Sequence, residues 1–400
     1  MATTSRTSPD STPIHTTPKI PIITTTRTSR TAPHSTPTYY TTTRIPTSTT
    51  TRILTPTSEK ITTNPEKTTV ASTTVASSTS IKTTYTTTQL QTTTSTSDTS
   101  CNSTTFPSTF LFAYSNDLSS DTVLDTFNRF SSYLKYYSWF GSVRFDIEII
   151  DIQFHKGDVN PTIANNLPDP NQGFQNSKIG SNVFDAIEKF FSNTQAPVCG
   201  SIIFILLKRY PNEADLSRSV SLIRYHHSIV HVMISASPSG GSQPKAMYFV
   251  ASKTNGMGMV EYDEHFPDVI DWFPLFNAPY PIYAATVQVS GSGAITLPDF
   301  YPPTANMYWV AITYQDHVPI DTFQYLKFGL TNNQGNGSFS VKSREISYWD
   351  DGNYLGQPSW FMNANYKITL DYDYLGRDVQ HLQFRIYTII PNSNWLPYSD

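Results

Sequence analysis

The amino-acid sequence predicts a doubly wound α/β domain followed by an all-β sandwich or jelly roll, with a disordered tail in front of them. Three observations support this prediction. Residues 1–105 are dominated by Thr, Ser and Pro, and their apolar residues follow no period. Residues 106–275 alternate short apolar runs with segments of helical spacing, which is typical of a sheet with crossover helices. Residues 276–400 alternate apolar and polar residues between turns, as antiparallel strands do.

The tail is too poor in apolar residues to form a core. Stretches such as TTTRIPTSTTTRILTPTS cannot bury enough apolar surface to offset the conformational entropy of ordering them. A Ser/Thr-rich tract with Pro is typical of an O-glycosylated, mucin-like stalk. The alternative is an unmodified disordered tail.

The charge of the chain divides along the same boundary. The tail has nine basic and four acidic residues, a net charge of +5, whereas the remaining 18 basic and 27 acidic residues give residues 106–400 a net charge of −9. An acidic folded region argues against a nucleic-acid groove.

Several features indicate an extracellular protein. Glycosylation sequons begin at Asn102 and Asn336, and the two cysteines, Cys101 and Cys199, suit an oxidising compartment. One feature opposes this interpretation. The first residues, MATTSRTSPDSTPIHTTP, contain no apolar stretch of signal-peptide length, so either the true start is missing or secretion follows an unusual route. No run approaches the length of a membrane span.

The elements of the α/β region follow from its apolar spacing. TFLFAYS is a buried strand, and the helix after it has Val123, Phe127, Phe130, Leu134 and Tyr137 at helical spacing. SIIFILLK is apolar throughout, as expected of a strand covered on both faces. The other predicted strands are VRFDIEIIDIQF (one strand, or two joined by a tight bend), SIVHVMISA and GMVEY, and the other predicted helices are SNVFDAIEKFFSN, EADLSRSVSLIRYHH, QPKAMYFVASKT and FPDVIDWFPL.

Oxygen-bearing side chains alternate directly after the first strand. Ser115, Asp117 and Ser119 occupy every second position in FLFAYSNDLSSD, where a strand ends and a helix begins. The carboxyl ends of strands are where α/β sheets bind ligands, and Mg²⁺ prefers oxygen ligands. The same residue types also cap helices. The residues alone leave both interpretations open.

The order of these elements resembles the von Willebrand factor A (VWA) family, a Rossmann-type fold, over residues 107–275. The closing phrases AMYFVASKTNG, MVEY and DEHFPDVIDWF carry most of the resemblance. It implies ligand binding through a metal ion that five side chains on three loops hold. These are an Asp-x-Ser-x-Ser motif after the first strand, a Thr on the second loop and an Asp on the third.

This chain departs from that pattern at each loop. The first loop supplies Ser115, Asp117 and Ser119 but lacks the leading Asp, and Ser181 stands near the position of the Thr. The third loop has Lys-Arg where the family has Thr-Asp, which places Arg209 beside the expected ion. The resemblance therefore implies a degenerate metal or ligand cleft formed by these five residues.

A cation on the third loop would repel a divalent ion. Arg209 is therefore expected to take the place of the ion against Asp117, and no bound metal is predicted. Rescue by Glu213 or Asp215, which follow on the same loop, is the alternative.

The resemblance also implies a disulfide. Cys101 precedes the first strand and Cys199 precedes the central one, and in a VWA-like sheet these two strands are parallel neighbours. A Cys101–Cys199 bond would tie the stalk to the base of the domain and close a loop of about 100 residues. In chain-entropy models, closing a loop of this length stabilises the folded state by up to roughly 4–5 kcal/mol. The alternative is two free thiols.

The last region resembles CUB-type sandwiches in SGSGAITLPDFYPP and YKITLDYDY, although the usual CUB cysteines are absent. Some CUB domains hold Ca²⁺ through acidic loops, and Asp371 and Asp373 would share one face of a strand. They are weak calcium candidates, and a solvated strand face is the alternative. With its Thr-rich stalk and two domains, the chain resembles a group of poorly characterised secreted nematode proteins.

No catalytic residue and no cofactor can be assigned. The histidines of RYHHSIVH, His226, His227 and His231, lack a His-Glu-x-x-His arrangement, and no phosphate-binding loop is present. The sequence favours a non-enzymatic extracellular binding or adhesion protein whose partner is an extracellular protein or a glycan. The alternatives are a structural surface-coat glycoprotein and, less favoured, a hydrolase that uses Asp117 in the carboxyl-end cleft.

Overall fold

The computed structural model describes residues 85–89, 101, 108–156, 163–276, 278–318, 322–342, 352–392 and 395–398, all within one compact unit, Ser77–Asp400. The predicted stalk lies outside these residues, except for Cys101 and a strand at Tyr85–Gln89 that the sequence did not predict. Asn102 and the side chain of Asn336 also lie outside the described part, so their glycosylation stays a prediction.

The predicted α/β domain contains a six-stranded sheet with the order β4-β3-β2-β5-β6-β7. All neighbours in it are parallel except β4, which runs antiparallel to β3 at one edge. The phrase VRFDIEIIDIQF thus contributes to two strands, as one reading of the sequence allowed. The strands are β2 (Thr109–Ser115), β3 (Trp139–Phe145), β4 (Ile152–Lys156), β5 (Ile202–Leu207), β6 (Ile229–Ser235) and β7 (Gly258–Glu261), and β1 is Tyr85–Gln89.

Helices cover both faces of this sheet, which confirms the doubly wound prediction. The side chains of β2 alternate between the two faces: Phe110 and Phe112 pack with α1 and α5, whereas Leu111 and Ala113 pack with α2, α3 and α4. The helices are α1 (Ser120–Phe130), α2 (Val183–Phe191), α3 (Ser217–Tyr225), α4 (Ala246–Lys253) and α5 (Phe266–Trp272). Short 3₁₀ helices lie at Ser131–Tyr136, Ala164–Asn166, Asp263–His265 and Pro274–Phe276. None of the described helices is long and apolar enough to span a membrane.

The remaining strands form an antiparallel β-sandwich, as predicted. Its five-stranded sheet has the order β1-β8-β15-β10-β13 and its four-stranded sheet the order β12-β11-β14-β9. β1 pairs along β8, so the end of the predicted stalk supplies an edge strand. The strands are β8 (Tyr280–Val289), β9 (Ser292–Phe300), β10 (Asn306–Thr313), β11 (Phe323–Asn332), β12 (Gly335–Lys342), β13 (Tyr354–Phe361), β14 (Tyr366–Tyr374) and β15 (Gln380–Thr388).

Buried amide side chains of the sandwich accept hydrogen bonds from the backbone N–H groups along the outer edge of β7. The backbone N–H of Gly258 donates to Gln383 Oε1 over 2.7 Å, and the N–H of Val260 donates to Asn353 Oδ1 over 2.8 Å. Buried backbone groups need such partners, and an open edge strand is otherwise a template for pairing with another chain. The sandwich therefore closes this edge of the α/β sheet.

Arg385 on β15 joins the sandwich to the turn after α4. Its guanidinium is fully buried and donates to the carbonyl oxygens of Asn255 (3.1 Å), Gly256 (3.0 Å) and Ala285 (2.6 Å). Burial lowers its pKa to about 10. One side chain thus satisfies carbonyls on both sides of the junction.

The disulfide between Cys101 and Cys199 is present, with the two Cα atoms 5.5 Å apart, which confirms that prediction. The bond closes a loop of 98 residues and joins the chain ahead of β2 to the chain ahead of β5. Nearby, the Ser108 hydroxyl donates to the carbonyl of Cys199 over 2.5 Å.

We expect Arg385→Met to lower the free energy of unfolding by about 3 kcal/mol or more, because it leaves buried carbonyls without donors at a cost of roughly 1–3 kcal/mol each. Urea denaturation with the disulfide intact measures this loss. Arg218→Met is the matched control, since that side chain is 81% exposed and pairs with Glu188 on the surface. Such pairs contribute about 0–1 kcal/mol. Equal losses in the two variants would contradict the structural role of Arg385.

Candidate functional site

The carboxyl ends of β2, β3 and β5 bring together four of the five residues of the predicted cleft. Ser115 ends β2, Asp117 follows it, and Arg209 lies two residues beyond β5. Ser181 precedes α2, and its backbone N–H donates to the carbonyl of Tyr210 over 2.9 Å. The parallel pairing of β2 with β3 and β5 is what places these ends at one edge of the sheet.

An ion pair between Arg209 and Asp117 lies at the centre of this edge. Arg209 Nε donates to Asp117 Oδ2 over 2.7 Å, and the hydroxyl of Ser239 donates to the same oxygen. The side chains of Arg209 and Asp117 are only 3% and 11% exposed. The contact predicted from the sequence is therefore formed, and it is largely shielded from water.

The other nitrogens of Arg209 bind backbone carbonyls of one segment, residues 163–179, which we call the covering segment. Nη1 donates to Asn176 O (3.0 Å) and Ile179 O (2.9 Å), and Nη2 donates to Phe174 O (2.8 Å). The planar guanidinium suits such a fork of acceptors. Arg209 thus ties the covering segment to the edge of the sheet.

The covering segment is also bound to the ends of β2 and β3. Asn116 and Asp169 exchange two hydrogen bonds, from Asn116 Nδ2 to Asp169 O (2.9 Å) and from Asp169 N to Asn116 Oδ1 (2.8 Å). Arg144 on β3 donates to Leu167 O over 2.7 Å. The segment therefore lies over the position where an open α/β sheet would accept a ligand.

Asp146 is a member of the site that the sequence reasoning missed. It directly follows β3 and is fully buried, and the hydroxyls of Ser115 and Ser181 both donate to its carboxylate, the latter over 2.6 Å. Burial raises the pKa of this carboxyl from 3.8 to about 7, although the two hydroxyl hydrogen bonds act in the opposite direction. The available signal was its place after a strand, the same signal that identified Ser115.

The backbone of Asp146 adopts a left-handed conformation with φ of 63°, which Asp tolerates better than most residues. Asn182 holds it there, because its Oδ1 accepts from the N–H of Asp146 (2.7 Å) and its Nδ2 donates to the carbonyl of Ile147 (2.8 Å). The strained turn aims the carboxylate at the two serines.

Ser119 does not join the others, which is the outcome that the capping alternative described. Its hydroxyl oxygen accepts from the N–H of Thr122 over 3.0 Å, and the residue is exposed at the start of α1. Asp215 caps α3 in a similar way, through a 3.0 Å hydrogen bond from the N–H of Ser217. Glu213 accepts from the neighbouring N–H of Asn212.

A cavity of about 530 Å³ lies beside the covered edge. The turn after Asp146 and the covering segment form its walls, and its lining combines apolar side chains, amides and the carboxyl group of Glu148. The lining residues are Ile147, Glu148, Ile149, Asn171, Gln172, Gly173, Phe174, Gln175 and Ile179.

The other sequence candidates do not form clusters. Asp371 and Asp373 are half-buried on β14, opposite Lys327 and Tyr325 of β11. In the described part of the chain, the one group of three His, Cys or acidic side chains close enough to share an ion is Cys101, Cys199 and His226, and its cysteines are joined in the disulfide.

The histidines of RYHHSIVH also separate. His231 is buried within the sheet, where its Nδ1 accepts from the N–H of Met257 over 3.2 Å, and burial lowers its pKa to about 3. His227 stacks on Trp395 with ring centroids 3.8 Å apart, and His226 stacks on Phe191. Each ring is used in packing.

We expect the stability of the protein to fall as the pH rises from about 4 to about 7. The pKa of Asp146 is higher in the folded state, so the folded protein holds a proton that the unfolded chain has lost in this window. The full shift corresponds to roughly 4 kcal/mol. Asp146→Asn should remove this dependence and stabilise the protein at pH 8.

Urea denaturation across that pH range measures the effect. Asp121→Asn, at an exposed position of α1, is the control and should leave the pH dependence unchanged. An Asp146→Asn variant with the pH profile of the unmodified protein would show that this carboxyl titrates as it does in the unfolded chain.

Comparison with known proteins gives one family-model match, which covers part of the sandwich. The family described as "Domain of unknown function (DUF7154)" matches residues 285–389. No curated protein matches the chain at a significant level.

The solved structures that are similar to the chain include the following three. A von Willebrand factor type A protein from Catenulispora acidiphila is 11% identical with a TM-score of 0.31, and the match covers 72% of this chain but only 59% of that one, less than two thirds of its length. A carbohydrate-binding module of Cellvibrio mixtus lichenase 5A, solved with cellotriose, is 8% identical with a TM-score of 0.18 over 26% of this chain and 77% of that one. The P-domain of Macrobrachium rosenbergii nodavirus is 20% identical with a TM-score of 0.18 over 26% of this chain and 82% of that one.

Similarities of this size carry no argument about a ligand, a partner or a reaction. One of these structures is a VWA protein, but its TM-score of 0.31 makes the similarity to it weak. The resemblances to CUB sandwiches and to nematode proteins stay predictions.

Proposed function

We propose that the chain is a non-enzymatic extracellular binding or adhesion protein that engages its partner without a metal ion. The observation that carries the proposal is the ion pair between Arg209 and Asp117. It supports the expectation from the VWA resemblance that Arg209 takes the place of a divalent cation against Asp117. The partner is an extracellular protein or a glycan.

The hydrogen bonds of the site oppose a metal ion there. A divalent cation needs oxygen atoms with free lone pairs. Asp117 Oδ2 already accepts from Arg209 and Ser239, and the hydroxyls of Ser115 and Ser181 point their protons at Asp146. An ion would have to displace Arg209 from Asp117 and from the carbonyls of the covering segment, at the cost of a buried cation without its counter-charge.

The arrangement also argues against catalysis. A serine nucleophile needs a base that accepts its proton. Ser115 and Ser181 donate to Asp146, but all three residues are buried beneath the covering segment. The raised pKa of Asp146 is the feature on which the hydrolase alternative would rest, since acid–base catalysts often have such pKa values.

The disulfide supports an extracellular location. Structural disulfides persist in oxidising compartments and are rare in the cytosol. Cys101 and Cys199 are the only cysteines of the sequence, and they are bonded to each other.

We expect the full-length chain, secreted from animal cells, to bind at least one member of an array of extracellular proteins and glycans. The binding should be equally strong in EDTA and in excess Mg²⁺ or Ca²⁺. The melting temperature should likewise not change with these ions, because an ion that bound the folded state alone would raise it.

Asp117→Ala separates the alternatives. The metal-free proposal is contradicted if the unmodified protein needs Mg²⁺ to bind and if Mg²⁺ raises its melting temperature but not that of Asp117→Ala. Failure to bind anything on the array would favour a structural surface-coat glycoprotein. Hydrolysis of ester or glycoside substrates that Asp117→Ala and Asp146→Asn both abolish would favour a hydrolase.

A further inference from the structure

We propose that one end of the β-sandwich binds an uncharged polysaccharide through the exposed ring of Trp360. This inference rests on the proposed binding function and assigns it a surface and a ligand class. We call the surface the aromatic end. It consists of the loops at 301–305 and 362–365 and of the exposed side chains Tyr301, Met307, Trp360, Met362 and Ile389.

The aromatic end is the uncovered continuation of a face that is otherwise packed. On the outer face of the five-stranded sheet, Ala311, Tyr354 and Tyr387 belong to the core shared with α1 and α5. Further along the same strands, Met307 of β10 lies directly opposite Trp360 of β13. Because side chains alternate along a strand, these two residues point to that same outer face. Trp360 is 61% exposed.

Exposed apolar side chains are concentrated at this end. Among the described residues, twelve large apolar side chains are strongly exposed, and five of them belong to the aromatic end. Tyr301 directly follows β9, Met362 follows β13, and Ile389 follows β15 one position after the Thr388–Tyr308 pair. A concentration of this kind marks a binding surface more often than scattered exposed residues do.

The strand ends and loops that form this surface contain no charged residue. Residues 300–310, 358–366 and 386–392 contain no Asp, Glu, Lys or Arg, in a protein with 14% charged residues. Asp299 and Lys367, which flank these segments, pair with each other over 2.6 Å. The polar groups that remain are amides and hydroxyls. Such a surface is complementary to a ligand with many hydroxyl groups and no charge, whose C–H faces pack on an aromatic ring.

The surface is held rigid from below. Four rings pack mostly edge-to-face beneath it, with centroids 5.0–6.1 Å apart; they are those of Phe300, Tyr308, Phe361 and Tyr366. The hydroxyl of Tyr308 donates to Thr304 O over 2.8 Å, and that of Tyr366 accepts from the N–H of Met362 over 2.8 Å. Both loops are thus fixed before a ligand arrives, which lowers the entropic cost of binding.

Two other occupants fit this end less well. β13 is an edge strand, but Pro358 near its middle has no N–H, so a partner chain that added a strand would meet an interrupted ladder. An anionic polysaccharide or a nucleic acid would need Lys or Arg, which these segments lack. An uncharged polysaccharide meets neither obstacle.

Isothermal titration of the full chain tests the proposal. The probes are hexasaccharides of glucose, N-acetylglucosamine and mannose, with a heparin hexasaccharide as the anionic comparator. We expect saturable binding to at least one neutral probe and none to heparin. Trp360→Ala should weaken that binding at least tenfold, and Met307→Glu should do the same by placing a charge on this face. Both variants should keep the melting temperature of the unmodified protein, since the two side chains are exposed.

Tyr225→Ala is the matched control, because that ring is 54% exposed on α3 and should not affect binding. The proposal is overturned if no neutral probe binds, if Trp360→Ala binds as well as the unmodified protein, or if only heparin binds. If the chain then still binds an extracellular protein on the array, the proposed binding function stands and only the aromatic end is lost.

Discussion

Where the α/β unit meets the β-sandwich, buried backbone N–H and C=O groups need hydrogen-bond partners. Three side chains of the sandwich supply such partners. Gln383 and Asn353 pair the outer N–H groups of β7, and Arg385 binds the carbonyls after α4. Because these partners are specific in direction and distance, they fix where the α/β unit lies on the five-stranded sheet. That position determines which part of the sheet face is covered, and so which part remains free to bind a ligand.

A second guanidinium organises the opposite side of the α/β unit. Arg209 and Arg385 are both buried and both donate mainly to carbonyls, but Arg209 also has a carboxylate partner in Asp117. Burying a cation is costly unless its hydrogen bonds are complete. For Arg209 the covering segment completes them, so the charge and the segment depend on each other. The edge where open α/β sheets bind ligands has become an internal structural contact.

Much of this arrangement follows from local patterns. Helical spacing and apolar runs predicted both folded layers, and the exchange of Thr-Asp for Lys-Arg predicted the contact of Arg209 with Asp117. Three features were not predictable in this way. Apart from Asp117, the partners of Arg209 and most of those of Arg385 are backbone carbonyls, which every residue has, so no residue type signals them. Asp146 lies in a run that can be read either as one continuous strand or as two, and only the second reading places it at a strand end. β1 lies in a Thr-rich tract whose composition indicates no strand.

The attachment of the tail has a mechanical consequence. Tension on the tail reaches β1 first, where backbone pairing with β8 is the resistance, and only then reaches Cys101, whose sulfur is bonded to Cys199 ahead of the central strand β5. If β1 separates from β8, the load passes along the chain to Cys101. There the disulfide divides the load, because Cys101 is joined both to the chain ahead of β2 and, through Cys199, to the chain ahead of β5. The segment ahead of β2 thus has two successive attachments, a hydrogen-bonded strand that can separate from its neighbour and a covalent bond that holds after it has separated.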